Sequence, residues 1–65
     1  MTIHPTAIVD PGARLGKGTV IAPYAIVEDG VVIGDRTEVR AHAVIKRYTT
    51  LGAGNAVYEG AILGG

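Results

Sequence analysis

The chain contains no cysteine. That removes disulfides, thiolate metal sites and cysteine nucleophiles, and leaves redox compartment unread. Tryptophan and phenylalanine are also absent, and three tyrosines are the only aromatics. There is no charge excess: six Lys/Arg balance six Asp/Glu. Electrostatics therefore favour neither nucleic acid nor an anionic membrane as a partner. No apolar run approaches the ~18 residues of a membrane span, because Gly, Pro or a charge interrupts every few positions. The opening Met1-Thr2-Ile3-His4-Pro5 lacks the basic start and apolar core of a secretory signal. The expected compartment is the cytosol. Sixty-five residues make one domain at most, near the size where a single core is marginal and help from partners is expected. What the chain does have is aliphatic residues. Hydrophobic residues make up 48% against 18% charged, a balance that argues against disorder.

Those aliphatics are periodic. Every sixth residue from Ile3 is Ile, Val or Leu: Ile3, Val9, Leu15, Ile21, Val27, Ile33, Val39, Ile45, Leu51, Val57 and Leu63. Four residues further on the position is small: Ala7, Ala13, Thr19, Ala25, Val31, Thr37, Ala43, Thr49, Asn55 and Ala61. Only Asn55 departs from Ala, Thr or Val there. Period six is not helical, since a helix needs apolar residues at i, i+3, i+4 and i+7, and the ten Gly and three Pro oppose one. It fits a short strand followed by a tight corner. Pairs such as Ile8-Val9, Val20-Ile21 and Val44-Ile45 supply β-branched strand residues. Pro11-Gly12, Gly16-Lys17-Gly18, Asp29-Gly30 and Gly52-Ala53-Gly54 supply corner residues. Hexapeptide repeats of this kind are a parallel β-helix signature.

A second period, of eighteen, sits on the first. Gly16, Gly34 and Gly52 are eighteen apart, as are Thr19, Thr37 and Asn55, and Ala7, Ala25, Ala43 and Ala61. Three hexapeptides therefore make one triangular coil, and residues eighteen apart stack at the ~4.8 Å spacing of neighbouring strands. The expected fold is an all-β parallel β-helix of about three and a half coils, a single segment over residues 1–65. Gly16, Gly34, Gly52 and Gly64, each just after an aliphatic residue, are expected at corners that need positive φ. Ala61-Ile62-Leu63-Gly64-Gly65 is no polar cap and reads as the next coil beginning. The segment is therefore expected to be the N-terminal part of a longer β-helix.

The repeat resembles the hexapeptide-repeat transferases. Within them, Ile3-His4-Pro5-Thr6-Ala7-Ile8-Val9, Ile21-Ala22-Pro23-Tyr24-Ala25-Ile26-Val27, Val32-Ile33-Gly34 and His42-Ala43-Val44-Ile45 resemble the acyl-carrier-protein–UDP-N-acetylglucosamine O-acyltransferases. Thr49-Thr50-Leu51-Gly52-Ala53-Gly54-Asn55 and Val57-Tyr58-Glu59-Gly60-Ala61-Ile62-Leu63-Gly64 continue the match over the whole chain. The His42 and Asn55-Ala56-Val57-Tyr58 stretches are more specific than the hexapeptide core, which all relatives share. The resemblance implies a left-handed β-helix and a homotrimer with active sites between subunits. It implies transfer of a 3-hydroxyacyl chain from acyl carrier protein to the sugar 3-hydroxyl of UDP-N-acetylglucosamine. That is the first committed step of lipid A synthesis, in the bacterial cytoplasm. The family's general-base His lies in a later coil, so no catalytic, cofactor-binding or metal residue is carried onto residues 1–65. The segment alone is expected to be inactive.

Several residues admit a chemical and a plain reading. His4 and His42 are the only histidines. A zinc site needs a third ligand, and their separation does not stack them. The plain reading puts His4 in the first turn and His42 on an outer face, toward a subunit neighbour. Gly16-Lys17-Gly18-Thr19 and Gly52-Ala53-Gly54 lack the spacing of a phosphate loop; corner glycines explain both. Arg36, Arg40, Lys46 and Arg47 form a basic group that either faces acidic carrier protein or a diphosphate, or is a solvated face balanced by Asp35 and Glu38. Tyr24, Tyr48 and Tyr58 lie outside the aliphatic column, as interface contacts or surface decoration. Tyr24 and His42, eighteen apart, should stack. Asn55 caps a corner or continues a ladder. Two other functions stay open: a different hexapeptide acyl- or acetyltransferase, and a non-enzymatic self-associating scaffold.

Overall fold

The structure, a computed structural model, describes residues 1–64. It contains eleven strands of two residues each: β1 (Thr2–Ile3), β2 (Ile8–Val9), β3 (Arg14–Leu15), β4 (Val20–Ile21), β5 (Ile26–Val27), β6 (Val32–Ile33), β7 (Glu38–Val39), β8 (Val44–Ile45), β9 (Thr50–Leu51), β10 (Ala56–Val57) and β11 (Ile62–Leu63). Between strands the chain turns within four residues. Pro5 and Pro11 set φ in the first two corners, where Ala7 N–H donates to His4 O and Ala13 N–H to Asp10 O, both at 2.9 Å.

The strands form three parallel sheets, in the orders β1-β4-β7-β10, β2-β5-β8-β11 and β3-β6-β9. Register is eighteen throughout, as in Ile3↔Ile21, Val9↔Val27 and Leu15↔Ile33. Each sheet is one side of a triangular solenoid, a parallel β-helix. Residues 3–20 form the first coil, 21–38 the second and 39–56 the third. Backbone N–H groups of one coil donate to carbonyls of the next, for example Ile8 to Ala25 O and Ile26 to Ala43 O at 2.9 Å.

The aliphatic column points inward. Ile21, Val27, Ile33, Val39, Ile45 and Val57 are buried, as are the small residues Ala25, Val31 and Ala43. Each buried Ile or Val contributes about 1.5–3 kcal/mol. Thr19 and Thr37 take the same small position and are fully buried, so their hydroxyls need partners. Thr19 Oγ1 donates to Gly16 O at 2.8 Å and Thr37 Oγ1 to Gly52 O at 2.7 Å. Asn55 continues that column: its N–H donates to Thr37 Oγ1 and its Nδ2 to Gly52 O at 3.1 Å. The amide caps its own corner.

One expectation is corrected. Gly16, Gly34 and Gly52 do not have positive φ; Gly64 does, at 84°. The left-handed residue is instead the third after each aliphatic from Leu15 to Val57, namely Gly18, Tyr24, Gly30, Arg36, His42, Tyr48, Gly54 and Gly60, while Thr6 and Gly12 in the first two corners do not share it. Gly34 is needed for close approach, because a Cβ there would lie 2.6 Å from Ala53 N and Gly52 C. At Gly16 the Cβ would meet Asp35 N at 2.7 Å and Gly34 C at 2.8 Å. Coil spacing, not the turn, demands glycine there.

Candidate functional site

Each corner stacks its own column of side chains. At one, Tyr24 and His42 lie ring on ring, with centroids 5.2 Å apart and planes 19° apart. This is the stack the spacing predicts. Both residues have φ above 60°, a conformation that costs a bulky residue roughly 1–2 kcal/mol. Tyr24 N–H donates to Thr6 Oγ1 below it at 3.1 Å, and Thr6 in turn contacts His4 Nδ1 at 2.9 Å. His4 and His42 share this corner but are two coils apart. No group of three His, Cys, Asp or Glu fit to hold a metal occurs among the described residues.

The four cations do not form one group. Arg36 sits at the corner with Lys17, Arg40 at the corner with His42, and Lys46 and Arg47 at the third. Arg40 is balanced, partly as expected: its guanidinium lies 3.7 Å from Glu38 and 3.1 Å from Glu59, and 5.5 Å over the Tyr58 ring. The Glu59 carboxyl is held below its ordinary value, first by a backbone N–H and then by Arg40. Asp35 plays a different part, accepting from Lys17 N–H at 2.8 Å. That bond also occupies an amide of Gly16-Lys17-Gly18, which is a corner and not an anion cradle.

The three outer faces differ in chemistry. The β1-β4-β7-β10 face shows Thr2, Val20, Glu38 and Ala56, and the β3-β6-β9 face shows Arg14, Val32 and Thr50. The β2-β5-β8-β11 face is aliphatic at every level: Ile8, Ile26, Val44 and Ile62. Ile8 is 64% and Ile62 68% exposed. Alongside runs a groove of about 430 Å³ with Ile8 and Ile26 in its floor and Asp10, Glu28, Asp29, Lys46 and Arg47 in its walls. Glu28 Oε1 is taken by Arg47 N–H at 2.9 Å. The groove thus joins aliphatic side chains to acids of the first two coils and cations of the third, and its lining holds no hydroxyl or imidazole for acyl chemistry. Sequence reasoning by sixes misses this stripe. Reading by eighteens from Ile8 finds it.

Triangular coils in register, built from a six-residue repeat, define a hexapeptide-repeat β-helix. The family model of the bacterial transferase hexapeptide (six repeats) matches residues 12–47, and the chain belongs to that family. Its relatives include the acyl-acyl-carrier-protein–UDP-N-acetylglucosamine O-acyltransferases of Brucella ovis and Brucella canis. Each is 52% identical over 62 residues, covering 95% of this chain and 22% of the relative. The enzyme of the same name from Brucella melitensis biotype 2 matches equally. The chain thus spans about a fifth of the length of these curated relatives.

Proposed function

We propose that residues 1–65 are the N-terminal scaffold segment of an acyltransferase that moves a 3-hydroxyacyl chain from acyl carrier protein to UDP-N-acetylglucosamine. The observation that carries this is the 52% identity, spread over 95% of the chain, to enzymes of that name. A shared hexapeptide core alone would need only the inward column to agree. The proposed assembly is a homotrimer in the bacterial cytoplasm. The described residues contain no helix long and apolar enough to cross a membrane, which is compatible with that placement.

In this reading the segment does no chemistry. A sugar hydroxyl is a poor nucleophile at neutral pH and needs a general base, which a His of a later coil supplies. The stacked coils of residues 1–64 give those later coils a rigid, register-locked foundation. The test is a chimera. Residues 1–65 replace the matching segment of the Brucella ovis relative, and acyl transfer to UDP-N-acetylglucosamine is assayed. The proposal expects activity within about tenfold of the parent, and none from the 65-residue chain alone. A folded, trimeric but inactive chimera would contradict it.

A further inference from the structure

We infer that His4 is an acid-released latch, tying the first coil to the second through Thr6 while its imidazole is neutral. A chain of three hydrogen bonds at one corner carries the inference. Tyr24 N–H donates to Thr6 Oγ1 in the coil below at 3.1 Å. Thr6 Oγ1 lies 2.9 Å from His4 Nδ1, and Thr6 N–H donates to the same Nδ1 at 3.2 Å. A backbone N–H can only donate, so Nδ1 is the bare nitrogen and Nε2 carries the ring hydrogen. The Thr6 hydroxyl accepts from Tyr24 and has its own hydrogen for Nδ1.

Other corners make the same coil-to-coil bond without a titratable group. There the left-handed residue donates to a backbone carbonyl of the coil below: Arg36 to Lys17 O at 2.7 Å, Tyr48 to Asp29 O at 3.0 Å and Gly54 to Asp35 O at 2.8 Å. Tyr24 instead donates to a hydroxyl that His4 orients. A protonated imidazole carries hydrogen on both nitrogens and cannot accept. Thr6 N–H would then face another N–H, which drives the ring out of the turn and frees the Thr6 hydroxyl from its place under Tyr24. Nothing nearby offsets this. Residues 1–7 and 20–25, from the paired strands β1 and β4 and their corners, contain no carboxylate to hold an imidazolium. Their ionisable groups besides His4 are the Met1 amine and the Tyr24 phenol. His42 lies on the far side of the stack, against the Tyr24 ring. Arg40, two coils above His4, is engaged by Glu38 and Glu59.

The test is amide hydrogen exchange of the 65-residue chain by NMR, read as protection factors at about pH 7.5 and about pH 5, either side of the range in which a histidine changes charge. Three chains are compared: the wild type, His4→Asn and Thr6→Ala. Asparagine accepts from the N–H two residues on and does not titrate. In the wild type, acid should lower the protection of Tyr24 N–H on the order of tenfold and leave Tyr48 N–H unchanged. In His4→Asn, Tyr24 should keep its protection at both pH values. In Thr6→Ala it should be low at both.

An equal loss at Tyr24 and Tyr48 would show general loosening in acid and overturn the latch. So would an equal acid loss at Tyr24 in the wild type and His4→Asn, because both retain His42. Unchanged Tyr24 protection in the acidified wild type, or in Thr6→Ala, would overturn it as well. A measurement without any variant guards against a substitution that fails to fold: ring nitrogen shifts of neutral wild-type His4 should report hydrogen on Nε2, and hydrogen on Nδ1 would contradict the latch.

Discussion

Ile3 and Ile21 hold the same place in the repeat and pair with each other across β1 and β4. Yet Ile21 is 1% exposed and Ile3 42%. The contrast runs through the column, with Val57 the exception: it is 5% exposed although a described strand pairs with it on one side alone. Ile21, Ile33, Val39 and Ile45, with a described coil on both sides, are sealed, whereas Leu15, Leu51 and Leu63 are half-buried. One residue type at one repeat position thus has two environments. Burial in a solenoid is set by neighbouring coils, and stability accrues as repeat and interface contributions between nearest neighbours.

Breaking that contrast should give the largest effects first. Ile21→Ala in the 65-residue chain should lower the unfolding free energy by about 2–5 kcal/mol, while Ile3→Ala should cost under about 1 kcal/mol because half its side chain already meets water. Equal losses in urea titrations of the two variants would contradict the account. A smaller pair of changes sharpens it. Gly34→Ala drives a Cβ into the backbone of Ala53 and Gly52 and should cost about 1–3 kcal/mol. Gly52→Ala meets nothing closer than Asn55 Nδ2 at 3.6 Å and should cost less than about 1 kcal/mol. Differential scanning calorimetry of both reads the difference.

Next in size is the threonine column. Thr37→Val keeps the shape but removes the donor to Gly52 O and the acceptor for Asn55 N–H. It should cost about 1–2 kcal/mol, with Asn55 Nδ2 still holding Gly52 O. The smallest effect belongs to the outer corner at Glu59. Its carboxyl has a lowered folded-state pKa, so its contribution is present above the ordinary carboxylate value and is lost as pH falls through the folded one. Glu59→Gln should therefore leave the melting temperature near neutrality almost unchanged and flatten its decline below the ordinary carboxylate range. An unaltered acid limb would show that the backbone N–H and Arg40 contacts of the Glu59 carboxylate add nothing.

Much of the fold was legible because the repeat leaves little freedom. Eleven aliphatics at one spacing specify what faces inward, and the eighteen-residue echoes of Gly16, Thr19 and Ala7 specify register. The Tyr24–His42 stack follows from the same arithmetic. The corner glycines show where it fails. Gly34 looks like a turn residue, and nothing in its neighbours in sequence reveals that the backbone of Gly52 lies over it. The left-handed conformations fall on Tyr24, Arg36, His42 and Tyr48, residues that propensity would not choose. The cations misled for a related reason: Arg36, Arg40, Lys46 and Arg47 are near in sequence, but six residues turn the chain to a different corner. The aliphatic outer stripe was hidden because it belongs to one face in three.

The central claim, that each coil is stabilised by its neighbours, is tested most directly by native-state hydrogen exchange of the 65-residue chain, amide by amide. Ile26, Val32 and Glu38 N–H groups donate across the middle coils, and Thr2 and Ile8 across the first pair. The account predicts the slowest exchange at Ile26, Val32 and Glu38 and faster exchange at Thr2 and Ile8, in a gradient that follows burial. Equal protection at all five amides would contradict it.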